Sequence, residues 1–280
     1  MTDLQTASPL RGEFRNPRNM FSGAEGSIHS DATASRLGFK GGTVPGSIHM
    51  DQFVPQLLDI YGERWFETGG LSLYFTQATV DNEAVRVEVT PGAERARLVM
   101  FNETDALICE GTAGGNGLDA GSELARRMDA QAPAAPGTLR ILGDIAVGDE
   151  NHGLSVQVPA EALARSRETI TEDLPAYRDL GILPPSHVVR LAHMTRSAAM
   201  AKLKPAVGLF GALEVQQLAG PLKAGIDYVA RTKILKLTES PKTENVWYEV
   251  VIQGKDGRPD LGRVLYCLRF MKASSPLWAQ

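Results

Sequence analysis

The feature that most constrains this chain is a plan that occurs twice. Residues 48–62, IHMDQFVPQLLDIYG, place Ile48, Phe53, Leu57, Leu58 and Tyr61 at the spacing of one helix face. Pro55 falls inside the run, so the helix is expected to start late or bend there. Four runs of strand character come next, GLSLYFTQA, AVRVEVT, ARLVMFN and ALICEGTA, with short turns such as VDNE and NETD between them. After a Gly-, Ala- and Pro-rich stretch at 114–137 the same order returns. ILPPSHVV at 182–189 echoes TVPGSIHM at 43–50. The run VVRLAHMTRSAAMAKL then puts Val188, Leu191, Met194 and Ala198 on one helix face. GALEVQQLA, DYVARTKILKL, VWYEVVIQG and GRVLYCLRFM read as four more strands, and Cys109 and Cys267 fall in the matching last strand of each set.

One helix on an antiparallel sheet covers only one of the sheet's faces. Two such units side by side can pair their edge strands into one sheet with two central helices. The expected organisation is therefore an α+β chain with units at 1–113 and 138–280. The linker at 114–137 includes a short surface helix in AGSELARRMDA.

Composition narrows the function classes. The chain has 280 residues, 43% hydrophobic and 22% charged, the range of ordinary globular proteins. Net charge is -4 and the basic residues are scattered, which argues against a nucleic-acid surface. No apolar run approaches the ~18 residues of a membrane span. The opening MTDLQTASPLRGEF lacks the apolar core of a signal peptide, so a cytoplasmic location is expected. Cys109 and Cys267 read as buried free thiols, and no Cys/His spacing suits zinc. Neither a metal nor a cofactor is expected.

The stretch GAEGSIHSD at 23–31 has the layout of a catalytic loop, with small residues, a histidine and a carboxylate. The longer segment at 22–47, SGAEGSIHSDATASRLGFKGGTVPGS, resembles the motif region of MaoC-like hydratases and dehydratases, the (R)-specific enoyl-CoA hydratase family. That motif reads Gly-Asp-x-Asn-Pro-Ile-His-x-Asp, then a small residue, then Gly-Phe and a closing Gly before the central helix. Gly23, Ile28, His29, Asp31, Ala34, Gly38, Phe39 and Gly46 match it at unbroken spacing. Ala24 stands where the family has its catalytic Asp, Gly26 where it has Asn, Ser27 where it has Pro, and Pro45 where a His is frequent. In the second half, GDIAVGDENHGLSVQVPAEALARSRETITED resembles the family's opening turn, strand and helix, with Glu172 at the Asp position and Tyr177 at the His position.

The resemblance implies a double hotdog fold, in which each unit wraps a twisted antiparallel sheet around a long helix. It also implies a lyase that adds water to, or removes it from, the carbon β to the carbonyl of an acyl-CoA thioester. The implied partner is that small molecule, with no nucleic acid or membrane, and the implied assembly is a homo-oligomer. The chemistry has its own demands. Attacking water must lose a proton, the α-carbon must gain one, and the enolate-like oxygen needs N–H donors such as those of a helix start.

His29 is the candidate acid–base residue because an imidazole titrates near neutrality. Asp31 is the second catalytic candidate, and it also reads as the N-cap of ATASRLG. Gly46, Ser47, Phe39, His49 and Asp51 are the candidate substrate-binding residues. Gly46 permits close backbone approach. His49 or Asp51 facing the pocket would favour a hotdog thioesterase or isomerase instead. A non-catalytic acyl-binding subunit of a heteromeric hydratase is the other alternative. Glu172 with Tyr177 forms either a second, altered acid–base pair or part of an ordinary polar loop. Arg36 and Lys40 either reach a CoA phosphate or keep the surface soluble.

Overall fold

The computed structural model describes residues 8–167 and 169–278. Residues 1–7, half of the opening MTDLQTASPLRGEF, lie outside the described residues, as do Glu168 and the last two. The strands are β1 (Leu10–Arg11), β2 (Gly70–Phe75), β3 (Val85–Thr90), β4 (Ala96–Asn102), β5 (Leu107–Gly114), β6 (Glu150–Val156), β7 (Gly208–Gln217), β8 (Tyr228–Glu239), β9 (Thr243–Gln253) and β10 (Asp260–Met271). The helices are α1 (Asp31–Arg36), α2 (Gly46–Asp51), α3 (Val54–Tyr61), α4 (Trp65–Thr68), α5 (Glu123–Ala130), α6 (Ala160–Ser166), α7 (Pro175–Asp179), α8 (Pro185–His193) and α9 (Arg196–Ala199).

The ten strands among the described residues join one sheet in the order β1-β3-β4-β5-β2-β7-β10-β9-β8-β6. The two halves meet at antiparallel β2 and β7, where Leu73 lies opposite Leu213 and Gly70 opposite Gln216. This is the edge-to-edge joint that two one-helix units require. Alternation along β2 explains the layering. Leu71, Leu73 and Phe75 point to the inner core, with Met50, Phe53 and Leu57 of the first central helix region. Ser72 and Tyr74 point outward.

Each central helix, expected as one long element, is two short ones. α2 ends at Asp51, and α3 restarts with Pro55 in its first turn, where a missing N–H costs nothing. In the second half the Thr195 hydroxyl donates to the Ala192 carbonyl at 2.7 Å, competing with the helical ladder between α8 and α9. α2 and α8 pack against each other on the inner face.

The linker helix packs on the outer face over the middle of the sheet. Leu124 of α5 is fully buried against Trp247, Leu265 and Cys267. The Leu124 N–H donates to Ser72 Oγ at 2.9 Å, and the Ser122 hydroxyl donates to the buried Glu214 at 2.5 Å. Both cysteines are buried free thiols. No helix among the described residues is long and apolar enough to cross a membrane.

Candidate active site

The 23–31 loop is a chain of tight turns. Ala24 N–H donates to Phe21 O, Ser27 N–H to Ala24 O and Ser30 N–H to Ser27 O, at 2.9, 3.1 and 3.0 Å. Gly26 has φ of +74°, a conformation that suits glycine. Phe21 to Gly26 are exposed, while Ile28 is buried and anchors the loop, its carbonyl accepting from Thr43 N–H at 3.1 Å. Ala24 and Glu25 therefore stand on the exposed rim.

His29 comes next after the anchor and is half-buried. Its carbonyl accepts from the Asn19 side-chain amide at 2.8 Å. Its ring Nδ1 lies 2.7 Å from the Thr43 carbonyl oxygen. A carbonyl only accepts, so Nδ1 carries the proton and Nε2 keeps its lone pair. Among the described residues no carboxylate bonds to the ring. Burial lowers the His29 pKa below its usual 6.5, and the Thr43 carbonyl opposes that in part. The imidazole is therefore neutral at pH 7, with Nε2 available as a base. The Phe21 ring lies beside it, centroids 5.9 Å apart.

Asp31 does not cap α1. Ser30 does, its hydroxyl accepting from Thr33 N–H at 3.4 Å. Asp31 instead accepts from Gly42 N–H at 2.7 Å and ties the loop to the strand-like segment that holds Thr43. Gly42 passes so close to the loop that a Cβ there would collide with the His29 carbonyl oxygen. Phe39 is half-buried and donates its N–H to Ala34 O at 3.0 Å, closing α1. Arg36 and Lys40 are exposed.

Three residues past Thr43, α2 begins at Gly46. Its N-cap is Pro45, which offers no side-chain acceptor. The Gly46 and Ser47 N–H groups therefore have no acceptor among the described residues, as expected for the first turn of a helix. Ser47 is buried and Gly46 half-buried. His49 turns away into the core, its Nε2 2.8 Å from Thr79 Oγ1, and burial lowers its pKa to about 4.

Asp51 crosses to the second half. It accepts from Ser186 N–H at 2.8 Å and from the Ser186 hydroxyl at 2.5 Å. Ser186 lies in the first turn of α8, so a carboxylate from the first central helix caps the second. The equivalent N–H in the first unit, that of Ser47, has no such cap. Burial raises the Asp51 pKa to about 7, against the pull of the two Ser186 bonds and with a further push from Glu172.

The stretch around Glu172 is not an ordinary polar loop. Glu172 is 7% exposed and Tyr177 1% exposed. Glu172 pairs with Arg15 at 3.3 Å, and the Tyr177 hydroxyl is buried with no partner among the described residues. Burial is the main cause that raises the pKa of both. His187 Nδ1 lies 3.2 Å from Ser186 Oγ, and burial lowers its pKa to about 4. The N-terminal segment reaches this cluster through Arg15 and through Met20, whose sulfur lies against the Thr169 hydroxyl.

Thr43, Asn19, Ser186 and Phe75, whose ring packs against Gly46, are among the partners of the candidate residues that were not singled out in sequence. Thr43 acts through its backbone carbonyl and Asn19 lies before the motif. Phe75 belongs to a strand, and Ser186 to the echo in the second half. Only Ser186 had a signal, its match to Ser47.

Solved structures place this architecture. A protein of Mycobacterium tuberculosis described as having a double hotdog fold superposes with a TM-score of 0.57 at 17% identity, over 96% of each chain. This chain is a double hotdog. A protein of Chloroflexus aurantiacus described as a MaoC domain dehydratase superposes on this double hotdog with a TM-score of 0.61 at 11% identity, again over 96% of each chain. A structure described as a MaoC-like dehydratase gives a TM-score of 0.54 at 13% identity, over 96% of this chain and 99% of that one. No protein-family model and no curated protein matches the sequence.

Proposed function

We propose that this double hotdog is a hydro-lyase that adds water to, or eliminates it from, the β-carbon of an acyl thioester, with acyl-CoA as the substrate class. The observation that supports this most is the state of His29. The Thr43 carbonyl holds its Nδ1–H at 2.7 Å, leaving Nε2 as a neutral base, and the helix start with unpaired first-turn N–H groups follows Thr43 by three residues. In the hydration direction Nε2 takes a proton from the attacking water, whose oxygen bonds to the β-carbon. The same proton is then delivered to the α-carbon, so one group moves one proton and the balance closes. The N–H groups of Gly46 and Ser47 hold the thioester oxygen as negative charge develops on it. The Thr43 carbonyl fixes the ring and favours its transient imidazolium form. Asp31 acts as a positioning residue, through Gly42 and the segment that carries Thr43.

With Ala24 at the position of the family's Asp, a single acid–base group remains. Substrates whose double bond is already activated by conjugation are therefore preferred. The thioesterase or isomerase alternative needs His49 or Asp51, whose polar atoms are bonded to Thr79 and Ser186. The fold similarity to MaoC-like dehydratases supports the lyase reading at the level of architecture.

The test is to incubate the protein with crotonyl-CoA in deuterated water. The reading requires a 3-hydroxybutyryl-CoA product with deuterium at the α-carbon. Free CoA as the product would support a thioesterase, and unchanged substrate would remove enoyl-CoA hydration.

A further inference from the structure

Asn19 lies in NPRNMF at 16–21, ahead of the motif region. The segment that carries it is pinned along the edge of the first unit. Gly12 N–H donates to Val87 O at 3.0 Å, Arg15 and Val85 exchange backbone bonds at 2.8 Å, and Pro17 O accepts from Asn82 N–H at 2.9 Å. Asn19 N–H donates to the Asp81 carboxylate at 2.6 Å, which fixes the backbone at that point. The Asn19 side-chain amide then works at both ends. Oδ1 accepts from Phe21 N–H at 3.1 Å, and Nδ2 donates to the His29 carbonyl at 2.8 Å. A backbone N–H only donates and a carbonyl only accepts, so the pair calls for a side chain with one acceptor and one donor on a short stem. A Cβ on Gly42 would press on the His29 carbonyl and on Asn19 Nδ2 alike, so this bond is closely packed as well as made.

Phe21, whose N–H Asn19 holds, has its ring 5.9 Å from the His29 imidazole, tilted by 42°. Its side chain is exposed, and its backbone is set by Asn19 at the N–H and by Ala24 N–H at the carbonyl. His29 is thus held at its carbonyl by Asn19, at its N–H by Ser27 Oγ at 3.3 Å, at Nδ1 by the Thr43 carbonyl and on its ring by Phe21. We infer that Asn19 is a positioning residue for His29: one amide fixes the backbone of the histidine and seats the Phe21 ring against its imidazole. The use of that positioning in catalysis rests on the proposed hydro-lyase activity, whereas the state of the ring can be read without turnover. The charged groups on the surrounding elements are Arg18, Glu25, Asp31, Arg36, Lys40 and Asp81. Asp31 is bonded to Gly42 N–H, Asp81 to Asn19 N–H and Arg18, and none of the six bonds to the imidazole. Burial keeps the ring neutral, and Phe21 supplies part of that burial.

The experiment follows the ring nitrogens of His29 by 15N NMR as pH is varied, with His29→Gln identifying its signals among the five histidines. It compares wild type, Asn19→Ala, Asn19→Ser and Phe21→Ala, with thermal melts confirming that each is folded. The wild type should show the Nδ1–H form and a midpoint below 6.5. Both Asn19 variants should raise the midpoint toward 6.5 and let the Nε2–H form appear, because the ring is no longer held against Thr43. Phe21→Ala should raise the midpoint and keep the Nδ1–H form. With crotonyl-CoA the Asn19 variants should lose roughly tenfold to a hundredfold in kcat with little change in KM. Folded Asn19 variants whose His29 signals match the wild type overturn the inference, even where their melting temperature drops, since Asn19 then only holds the fold. If neither Asn19 variant folds, Phe21→Ala decides, and an unmoved midpoint overturns the inference. If the wild type hydrates nothing, the lyase reading fails separately and the ring signals still decide for or against Asn19.

Discussion

Asp51→Asn should make this protein more stable at alkaline pH, although it removes a carboxylate from a helix N-terminus. Asp51 is 1% exposed and makes two bonds to Ser186. Asparagine has the same shape, accepts from the Ser186 N–H through Oδ1 and donates to the Ser186 hydroxyl through Nδ2. Only the charge is lost. The carboxyl titrates at about 7 in the folded chain against 3.8 for the free group, mainly because burial disfavours the anion. At about 1.4 kcal/mol per tenfold, ionising it in the folded chain costs on the order of 4 kcal/mol more than in the unfolded chain. Between those two values the folded state holds the extra proton. The Asp51 contribution to stability therefore declines as pH rises from about 4 to about 7, then levels off. Ser186, Glu172, Tyr177 and His187 surround the group and are present in both proteins, so the variant-minus-wild-type difference reports Asp51 together with its coupling to Glu172 and Tyr177. Urea denaturation at pH 5, 6, 7 and 8 should show Asp51→Asn gaining on the wild type by roughly 3 kcal/mol across the series, the rest of the roughly 4 kcal/mol falling below pH 5. If the variant is less stable than the wild type at pH 8, the ionised carboxylate stabilises the start of α8 and desolvation does not dominate.

Three further outcomes can be checked. With the His29 pKa lowered by burial, kcat/KM should hold from neutral pH down to below 6.5 and fall as the ring gains its proton, as a pH–rate profile would show. Gly46→Ala drives a Cβ to within 2.7 Å of the Phe75 ring and should cost about 1–3 kcal/mol of stability by thermal melt, with Phe75→Leu in the same chain restoring part of it. Glu244 is fully buried and accepts from the Arg140, Ile141 and Leu142 N–H groups and the Trp278 indole. Glu244→Ala strands those donors and should cost on the order of 3–5 kcal/mol in a denaturant titration, while Arg140→Ala, which leaves the backbone donors paired, costs far less.

Much of the fold was legible because it rests on periodicity. The alternation of Leu71, Leu73 and Phe75 and the spacing of Phe53 and Leu57 are local patterns, and the duplicated order implied the joint between β2 and β7. β1 was not legible, since two residues at a sheet edge leave no pattern. The docking of α5 depends on the Ser72 and Glu214 side chains far away in sequence. At the site, the motif spacing located His29 but not what holds it, because a backbone carbonyl such as that of Thr43 has no sequence signature. Asp31 looked like a cap because its neighbour Ser30 offers the same chemistry one residue earlier. Asp51 looked like a pocket residue because its partner, Ser186, belongs to the other unit. Whether Glu172 and Tyr177 form a pair or an ordinary polar loop stayed open in sequence because Arg15 of the distant N-terminal segment takes part in burying Glu172.

The central claim is that His29 Nε2 moves the proton in a water addition, and one rate ratio tests it most directly. Hydration of crotonyl-CoA, monitored by loss of the conjugated enoyl absorbance, is compared between wild type and His29→Ala, both confirmed folded. The account predicts wild-type turnover and a loss in kcat of about a hundredfold to ten-thousandfold in the variant. Equal rates in the two proteins, or no hydration by the wild type, would contradict it.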